Sequence, residues 1–383
     1  MREQSGDAWS TTERGLRDQL RACRDAGTVA AVVTVADVEG SAYRRPGAKM
    51  LVPTDGTEAI GAVTAGCLEG PVRNTATDVI AEGTPRVEVF DLMDDGDSWG
   101  LGLGCNGIID LLVEPLDASL DGALAALADG DTVTVVTVLD GQRTGQRTVI
   151  TADGTRQEVP EREPVPQQVL DEVADIVEQL QGTGKTRPVR AAVEGKSVRV
   201  LVDSLQPVPE ILLFGSRNDI PSLAALAADI GFRVAVHSPR GAVDDDEIPA
   251  AGRVVTGHPS TVDETVTVPE HTYAVVMSHN LVDDRIAVQT LVEETAVPYV
   301  GLMGPRERFE NLRDGLSERS VTLTESELGR ISTPVGLDLG GGEPIQIALS
   351  VVSEILAVSN GREGRRLRER DGPIHPRSTD NSG

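Results

Sequence analysis

Two glycine-rich turns carry cysteines in a setting that favours chemistry on sulfur. Residues 61–70 have the pattern of a strand, a tight glycine turn and a helix, with Cys67 at or near the helix start. Cys105 occupies a similar turn in Gly104-Cys105-Asn106-Gly107. At a helix N-terminus, unpaired backbone N–H groups and the helix dipole favour the thiolate, which is the nucleophilic and metal-binding form. The alternative is that each cysteine is a small apolar side chain filling a tight turn.

A cationic loop precedes the Cys67 turn. Arg44, Arg45 and Lys49 place three cations within six residues, from the loop after predicted strand 28–36 to the start of predicted strand 48–52. Guanidinium and ammonium groups bind phosphate, and such a cluster stands out in a chain with a formal net charge of −26. The alternative is a solvated loop whose cations pair with neighbouring carboxylates.

Acidic residues dominate the composition. The chain holds 61 Asp and Glu residues against 35 Lys and Arg, and only three of those cations are lysines: Lys49, Lys185 and Lys196. Carboxylates in such excess, spread along the whole chain, indicate adaptation to concentrated salt, so we expect a halophilic source. Nucleic acids and anionic membranes require a clustered basic face, and neither is expected as a partner.

The sequence also indicates a cellular compartment. The first ten residues are polar and lack the apolar core of a signal peptide, and no run of 18 apolar residues occurs. Three cysteines without an evident pairing pattern suit a reducing environment. We therefore expect a cytoplasmic protein.

Composition and periodicity predict two domains and a tail. Residues 1–205 form the first domain, residues 206–360 the second, and residues 361–383 a charged segment expected to be disordered. In the second domain, short apolar strands alternate with helices, as in strand 211–214 and helix 219–230. That alternation is typical of a parallel sheet covered on both faces. The predicted fold class is α/β, with a mixed α/β domain followed by a Rossmann-like, doubly wound parallel sheet.

The first strand of the second domain is followed by an incomplete dinucleotide-binding turn. The fingerprint requires glycine at positions 215 and 217, and glycine or alanine at position 220. This chain has Gly215, Arg217 and Ile220, so only the first position matches. The second strand ends at Ser238 without the acidic residue that binds a ribose. NAD(P) is therefore not the expected cofactor, and an NAD(P)-binding oxidoreductase is the alternative function. Arg217, beside a helix N-terminus, suits a different phosphate.

Polar residues follow two later strands at the carboxyl edge of the same predicted sheet. His279 and Asn280 close strand 273–277, and Arg306 lies in the first turn of the predicted helix 305–315, after strand 299–302. Ligands bind at that edge in open α/β sheets, so these side chains are candidate ligand-binding groups. For His279 the alternative is a capped strand end.

Several long motifs, in the same order along about residues 29–360, resemble the XdhC/CoxI family. In the first domain they are Glu39-Gly-Ser-Ala, Arg45-Pro-Gly-Ala-Lys-Met50, Gly66-Cys67-Leu-Glu69-Gly70 and Gly104-Cys105-Asn-Gly107. In the second they are Leu212-Leu-Phe-Gly215, Gly231-Phe-Arg-Val234, Pro239-Arg240, Met277-Ser-His279-Asn280, Tyr299-Val-Gly-Leu-Met-Gly-Pro-Arg306, Pro334-Val-Gly-Leu-Asp338, Glu343-Pro-Ile-Gln-Ile-Ala-Leu-Ser350 and Glu354-Ile-Leu-Ala-Val358. Members of this family are accessory proteins for molybdenum hydroxylases such as xanthine and carbon monoxide dehydrogenases.

The resemblance implies a carrier rather than an enzyme. Such proteins bind the molybdenum cofactor (molybdopterin), protect it, support its sulfuration by a cysteine desulfurase and deliver it to an apo molybdenum hydroxylase. A homodimer is the expected assembly, and Cys67 and Cys105 are candidate molybdenum ligands. The candidate cofactor-binding residues are Arg44, Arg45, Lys49, Cys67, Glu69, Cys105, Arg217, His279, Asn280 and Arg306.

The second domain departs from the family pattern at two places. The family has Gly-Ala-Gly-His at the first turn, where this chain has Gly215-Ser-Arg-Asn218, and aspartate before Pro-Arg, where this chain has Ser238. Both changes argue against a nucleotide in this domain. A third class of function is a binding module that only docks the hydroxylase or the desulfurase.

Overall fold

The computed structural model describes residues 8–92, 107–157, 159–239, 241 and 247–369. The chain forms two compact units, Met1–Pro207 and Val208–Gly383. Among the described residues, no helix combines the length and apolarity needed to cross a bilayer.

The first unit contains an antiparallel five-stranded sheet with strand order β3-β2-β1-β5-β4. Its elements are α1 (Glu13–Ala26), β1 (Ala30–Gly40), β2 (Lys49–Pro53), β3 (Ile60–Gly61), α2 (Glu69–Glu82), β4 (Arg86–Asp91) and β5 (Gly107–Pro115). Alternate residues of a strand face opposite sides of a sheet. Ala31, Val33 and Val35 of β1 accordingly pack with α2, whereas Ala30 and Val32 pack with α1.

A second antiparallel five-stranded sheet completes this unit, with strand order β8-β7-β6-β10-β9. Its elements are α3 (Asp121–Asp129), β6 (Val133–Val138), β7 (Arg147–Thr151), β8 (Arg156–Gln157), α4 (Gln167–Glu172), α5 (Ala174–Leu180), β9 (Thr186–Val193) and β10 (Lys196–Leu205). The sequence predicts one helix over residues 167–181, and the structure has two successive helices over nearly the same range. The helix is interrupted at Val173, where φ is −104° and ψ is 5°. Val169, Val173 and Val177 pack in one core, as residues four positions apart on a helical segment do.

Charged pairs connect the two sheets of the first unit. Arg147 of β7 donates to both carboxylate oxygens of Glu114 on β5, at 2.6 and 2.7 Å, and each side chain is only 3% exposed. Arg147 also donates to the hydroxyl of Ser119 at 2.7 Å. Arg199 of β10 donates to Asp110 of β5. Because a buried charge without a partner is strongly unfavourable, these pairs fix how the sheets meet.

The second unit is a parallel six-stranded sheet with strand order β13-β12-β11-β14-β15-β16. Its elements are β11 (Glu210–Phe214), α6 (Ile220–Asp229), β12 (Arg233–Ser238), β13 (Arg253–Thr256), β14 (Thr272–Val276), α7 (Leu281–Glu294), β15 (Tyr299–Leu302), α8 (Arg306–Ser317), α9 (Glu325–Leu328), β16 (Ile331–Ser332) and α10 (Pro344–Ser359). Helices α6 and α10 cover one face, and α7 and α8 cover the other. This is the strand order of the Rossmann fold, and the predicted fold class is confirmed.

The segment after α10 is described as far as residue 369, and residues 361–369 are all exposed. They include one short 3₁₀ turn, Leu367–Glu369. The remainder of the predicted tail, residues 370–383, lies outside the described residues.

We predict that Arg147→Met lowers the free energy of unfolding by about 3–5 kcal/mol, because it leaves the Glu114 carboxylate buried without a counter-ion. The measurement is the urea midpoint. The control is Arg86→Met, which removes an exposed pair with Glu82 and should change stability by less than about 1 kcal/mol. Equal destabilisation by the two substitutions would contradict the structural role of the buried pair.

A buried histidine gives the second unit a defined pH dependence. His237 of β12 is fully buried, stacks on Phe214 with ring centroids 5.6 Å apart, and places Nδ1 2.8 Å from the hydroxyl of Thr265. Burial lowers the pKa of His237, against the opposing effect of a hydrogen bond to the Gly257 carbonyl. The native ring therefore resists protonation more than the unfolded one does.

We predict that stability falls as the pH drops below the ordinary histidine pKa of about 6.5, because the unfolded chain then binds more protons than the native protein. The free energy of unfolding of His237→Gln, measured by urea titration from about pH 7 to about pH 5, should decline less steeply than that of the wild type. Parallel declines would show that His237 does not contribute. Burial also lowers the pKa of His271. Because both proteins contain His271, its contribution to the pH dependence cancels in the comparison.

Candidate functional site

The cationic loop connects β1 to β2 and is held at its base by backbone hydrogen bonds. The amide of Gly47 donates to the Val35 carbonyl, and the amide of Val35 donates to the Ala48 carbonyl, both at 2.8 Å. Gly47 has φ = +94°, and a Cβ there would lie 2.2 Å from the Thr186 hydroxyl. Only glycine fits this position, since both the left-handed backbone and the contact with β9 exclude a side chain.

Lys49 fastens this loop to the second sheet. Its ammonium lies 2.6 Å from Asp203 Oδ2 and 3.1 Å from the Gly47 carbonyl. The Thr186 hydroxyl donates to Asp203 Oδ1 at 2.5 Å, and Asp203 is 6% exposed. The predicted phosphate-binding ammonium is thus engaged within the unit. The exposed cations of the loop are Arg44 and Arg45.

The cysteine turn leads from β3 into α2. Gly66 has φ = +110°, and the Leu68 amide donates to the Thr64 hydroxyl at 3.4 Å. Helix α2 begins at Glu69, two residues after Cys67, with Leu68 as its N-cap. Cys67 is partly buried and packs at the margin of the core beneath α2. Glu69 lies in the first turn of the helix, with Oε2 3.7 Å from the position of a Cβ on Gly66.

Trp9 connects the cationic loop to the cysteine turn. Its indole N–H donates to the Thr64 carbonyl at 3.3 Å. Its ring stacks on Tyr43, with centroids 5.7 Å apart and an interplanar angle of 30°. Tyr43 directly precedes Arg44 in the chain. One aromatic side chain therefore links the loop that carries the arginines to the turn that carries Cys67.

Sequence reasoning did not identify Trp9 or Tyr43 as site residues. The contact between them spans 34 positions, and neither belongs to a periodic motif. The available signal was composition, because aromatic residues make up only 2% of the chain and Tyr43 adjoins two arginines.

The second cysteine motif ends at the base of the same loop. Gly107 begins β5 and pairs with Gly40 of β1. A Cβ on Gly107 would lie 2.6 Å from the Glu39 carbonyl and 2.7 Å from the Ser41 carbonyl, so this backbone contact requires glycine. Cys105 itself lies outside the described residues.

The two arginines, the stacked aromatic pair and Cys67 together suit a ligand that carries a negative charge, an aromatic ring and a soft metal. Guanidinium groups bind phosphate, and a thiolate is a soft ligand. Cys67 supplies one such donor, so a metal bound here would have to bring most of its ligands with it. Within the described residues, no group of three or more His, Cys, Asp or Glu side chains could hold a metal ion.

The loops after β11 and β14 meet at the point where the strand order of the second unit reverses. A Cβ on Gly215 would lie 2.9 Å from the Met277 carbonyl. His279 Nε2 lies 2.8 Å from Asp219 Oδ2, and His279 adopts φ = +60°. Asn280 uses its side-chain carbonyl to cap α7, accepting from the amides of residues 282 and 283 at 3.0 and 3.1 Å.

Asp219 is the N-cap residue of α6, where a Rossmann domain places a pyrophosphate. Its Oδ1 is buried without a hydrogen-bond partner among the described residues. A carboxylate at this point repels phosphate, and sequence reasoning did not identify it. Arg217 in the loop after β11 and Arg306, the first residue of α8, are both exposed.

Comparison with known proteins assigns both units of the chain. Residues 23–91 match the sequence profile described as "XdhC and CoxI family". Residues 211–355 match the profile described as "XdhC Rossmann domain". These two segments include the cationic loop, the Cys67 turn and the carboxyl edge of the parallel sheet.

Individual relatives extend the similarity over most of the chain. A probable xanthine dehydrogenase subunit from Bacillus subtilis (strain 168) is 28% identical over 333 residues, which cover 85% of this chain and 92% of that protein. The uncharacterized protein YqeB of Escherichia coli (strain K12) is 26% identical over 170 residues, which cover 44% of this chain and 30% of that protein.

A solved structure has the same fold. The crystal structure of a xanthine dehydrogenase (BH1974) from Bacillus halodurans superimposes with a TM-score of 0.72 at 24% identity, covering 94% of this chain and 98% of that one. With both profiles matched in order and a curated relative aligned along nearly its whole length, the chain belongs to the XdhC/CoxI family.

Proposed function

We propose that this protein is an accessory factor that binds the molybdenum cofactor, protects it and delivers it to an apo molybdenum hydroxylase of the xanthine dehydrogenase type. The observation that carries the proposal is the contact of Trp9 with both the Thr64 carbonyl and the Tyr43 ring. That contact links the loop that carries two exposed arginines to the turn that carries a partly buried thiol. The name of the Bacillus subtilis relative, a probable xanthine dehydrogenase subunit, supports the choice of client.

The residues of the first unit fit the chemistry of this cargo. The cofactor is a pterin that carries an anionic phosphate and holds molybdenum through a dithiolene. Arg44 and Arg45 would bind the phosphate, and the Cys67 thiolate would approach the metal or the sulfur that it receives. Cys105 remains a predicted second soft ligand, since it lies outside the described residues.

Two predicted ligands have a different part in this proposal. The Lys49 ammonium is paired with Asp203, so Lys49 would position the loop rather than bind the phosphate. Glu69 carries a negative charge in the first turn of α2, where it favours the helix through its dipole. The cationic contribution to the site therefore falls on the two arginines.

Sulfuration requires that the bound metal be reached by a sulfur donor, which we propose is a cysteine desulfurase. Cys67 lies in an exposed turn, with Ala65, Gly66 and Gly70 open to solvent. A partner protein can approach such a turn without unfolding of either sheet. A homodimer stays a prediction that sedimentation of the purified protein measures directly.

The alternative function is an NAD(P)-dependent oxidoreductase, which the strand order of the second unit favours. Against it are the exposed Arg217 in the phosphate turn and the Asp219 carboxylate at the start of α6. We expect calorimetric titration with NADPH to give no binding in the micromolar range. Clear binding in that range would support the oxidoreductase function. The role of the arginines and Cys67 in the first unit would then need a separate explanation.

We predict that Cys67→Ser retains roughly tenfold less molybdenum after anaerobic purification from cells that make the cofactor, corresponding to about 1.4 kcal/mol of lost binding free energy. Serine keeps the size and the turn but removes the soft donor. The measurements are molybdenum by mass spectrometry, pterin by fluorescence after oxidation, and activation of an apo-hydroxylase.

The matched control is Cys23→Ser, which changes the other free, partly buried cysteine of the described chain. It should retain cofactor as the wild type does, and both variants should melt near the wild-type temperature. Equal retention by wild type and Cys67→Ser would falsify the role of this thiol. Pterin absent from the wild type would favour a module that only docks the hydroxylase or the desulfurase.

A further inference from the structure

We propose that Trp9 and Tyr43 form an aromatic platform on which the flat ring of a phosphate-bearing pterin stacks, while Arg44 binds its phosphate. The inference rests on the proposed function of the same site and adds the residues that recognise the ring. The shared ligand chemistry is a flat heteroaromatic ring with an anionic substituent. A purine nucleotide has the same two features, and the experiment below distinguishes it from the pterin.

The first observation is the exposure of Tyr43. Its ring is covered on one side by Trp9, yet the residue remains 55% exposed. The other tyrosines of the chain, Tyr273 and Tyr299, are 7% and 4% exposed. Aromatic side chains are normally used to build cores and interfaces. In a chain with 2% aromatic residues, an accessible stacked ring beside arginines is typical of a binding surface.

The second observation is that contacts from three segments of the chain hold the platform. Trp9 belongs to the 3₁₀ turn Ala8–Ser10, and the Thr11 hydroxyl donates to the Ala8 carbonyl at 3.0 Å. The indole N–H is fixed by the Thr64 carbonyl, and the indole ring supports Tyr43. A preorganised surface loses little conformational entropy when a ligand binds.

The third observation is the charge next to the ring. Arg44 follows Tyr43 and makes no ion pair with any described residue, although the chain has a net charge of −26. An exposed guanidinium that carboxylates have not neutralised attracts an anionic ligand. The ring and the cation together select a planar molecule that carries phosphate.

The fourth observation favours the pterin over a purine nucleotide. The same indole that supports Tyr43 holds the turn that presents Cys67. A soft thiol in the turn that the indole contacts suits a ligand that carries a soft metal at its other end. A purine nucleotide offers nothing for that thiol to bind.

The experiment is equilibrium dialysis of the full chain against the fluorescent, phosphate-bearing pterin made by oxidising molybdopterin, and against the same pterin after dephosphorylation. Tyr43→Ala removes the ring, Tyr43→Phe keeps it, and Arg44→Gln removes the charge. The matched control is Val89→Ala, because Val89 is a comparably exposed apolar residue of the same unit, at 57%. GMP serves as the purine probe.

We expect Tyr43→Ala to bind both pterins roughly tenfold more weakly than the wild type. Tyr43→Phe and Val89→Ala should bind as the wild type does, and Arg44→Gln should weaken only the phosphate-bearing pterin. All four variants should melt near the wild-type temperature, so that a lost contact with ligand is separated from a loss of packing.

Three results would overturn the inference. Equal affinity of wild type and Tyr43→Ala rejects the platform and leaves the proposed function standing. Tighter, Tyr43-dependent binding of GMP assigns the platform to a purine nucleotide. A wild-type protein that binds neither pterin removes the proposed function together with the platform.

Discussion

The ion pair between Lys49 and Asp203 links the packing of the first unit to its site. It belongs to a set of charged pairs between the two antiparallel sheets that includes the buried pair of Glu114 and Arg147. Removing one partner of such a pair leaves an uncompensated charge, so the sheets are held in one arrangement. The loop that carries Arg44 ends at Lys49, so the ion pair attaches that end of the loop to the second sheet.

Contacts between uncharged groups also position the cationic loop. Gly47 allows the loop to pass against Thr186, and Gly107 allows β5 to pass against the backbone of Ser41. Trp9 then spans the remaining gap, because one edge of its indole donates a hydrogen bond while its face stacks on Tyr43. The cationic loop and the cysteine turn are therefore in contact through one side chain, and we expect a ligand that orders one to order the other.

The second unit keeps the Rossmann scaffold, but the residues at the point where its strand order reverses differ from those of a dinucleotide-binding domain. Gly215 still permits the close approach to Met277 that the fold requires. The position that would receive a pyrophosphate instead holds the Asp219 carboxylate, which pairs with His279 across the two loops. A fold of this kind is specified by apolar strands and helices, whereas ligand binding depends on a few loop residues that vary independently.

The sequence by itself determined the fold class, the family and the existence of the cationic loop and the Cys67 turn, because periodicity and glycine spacing are local signals. Tertiary structure decided which of these groups meet. It engaged Lys49 with Asp203, 154 positions away, and brought Trp9 against Tyr43 and Thr64. It also paired Asp219 with His279, 60 positions away. Such contacts arise from how sheets and loops pack at long sequence separation, and no local pattern of residues encodes them.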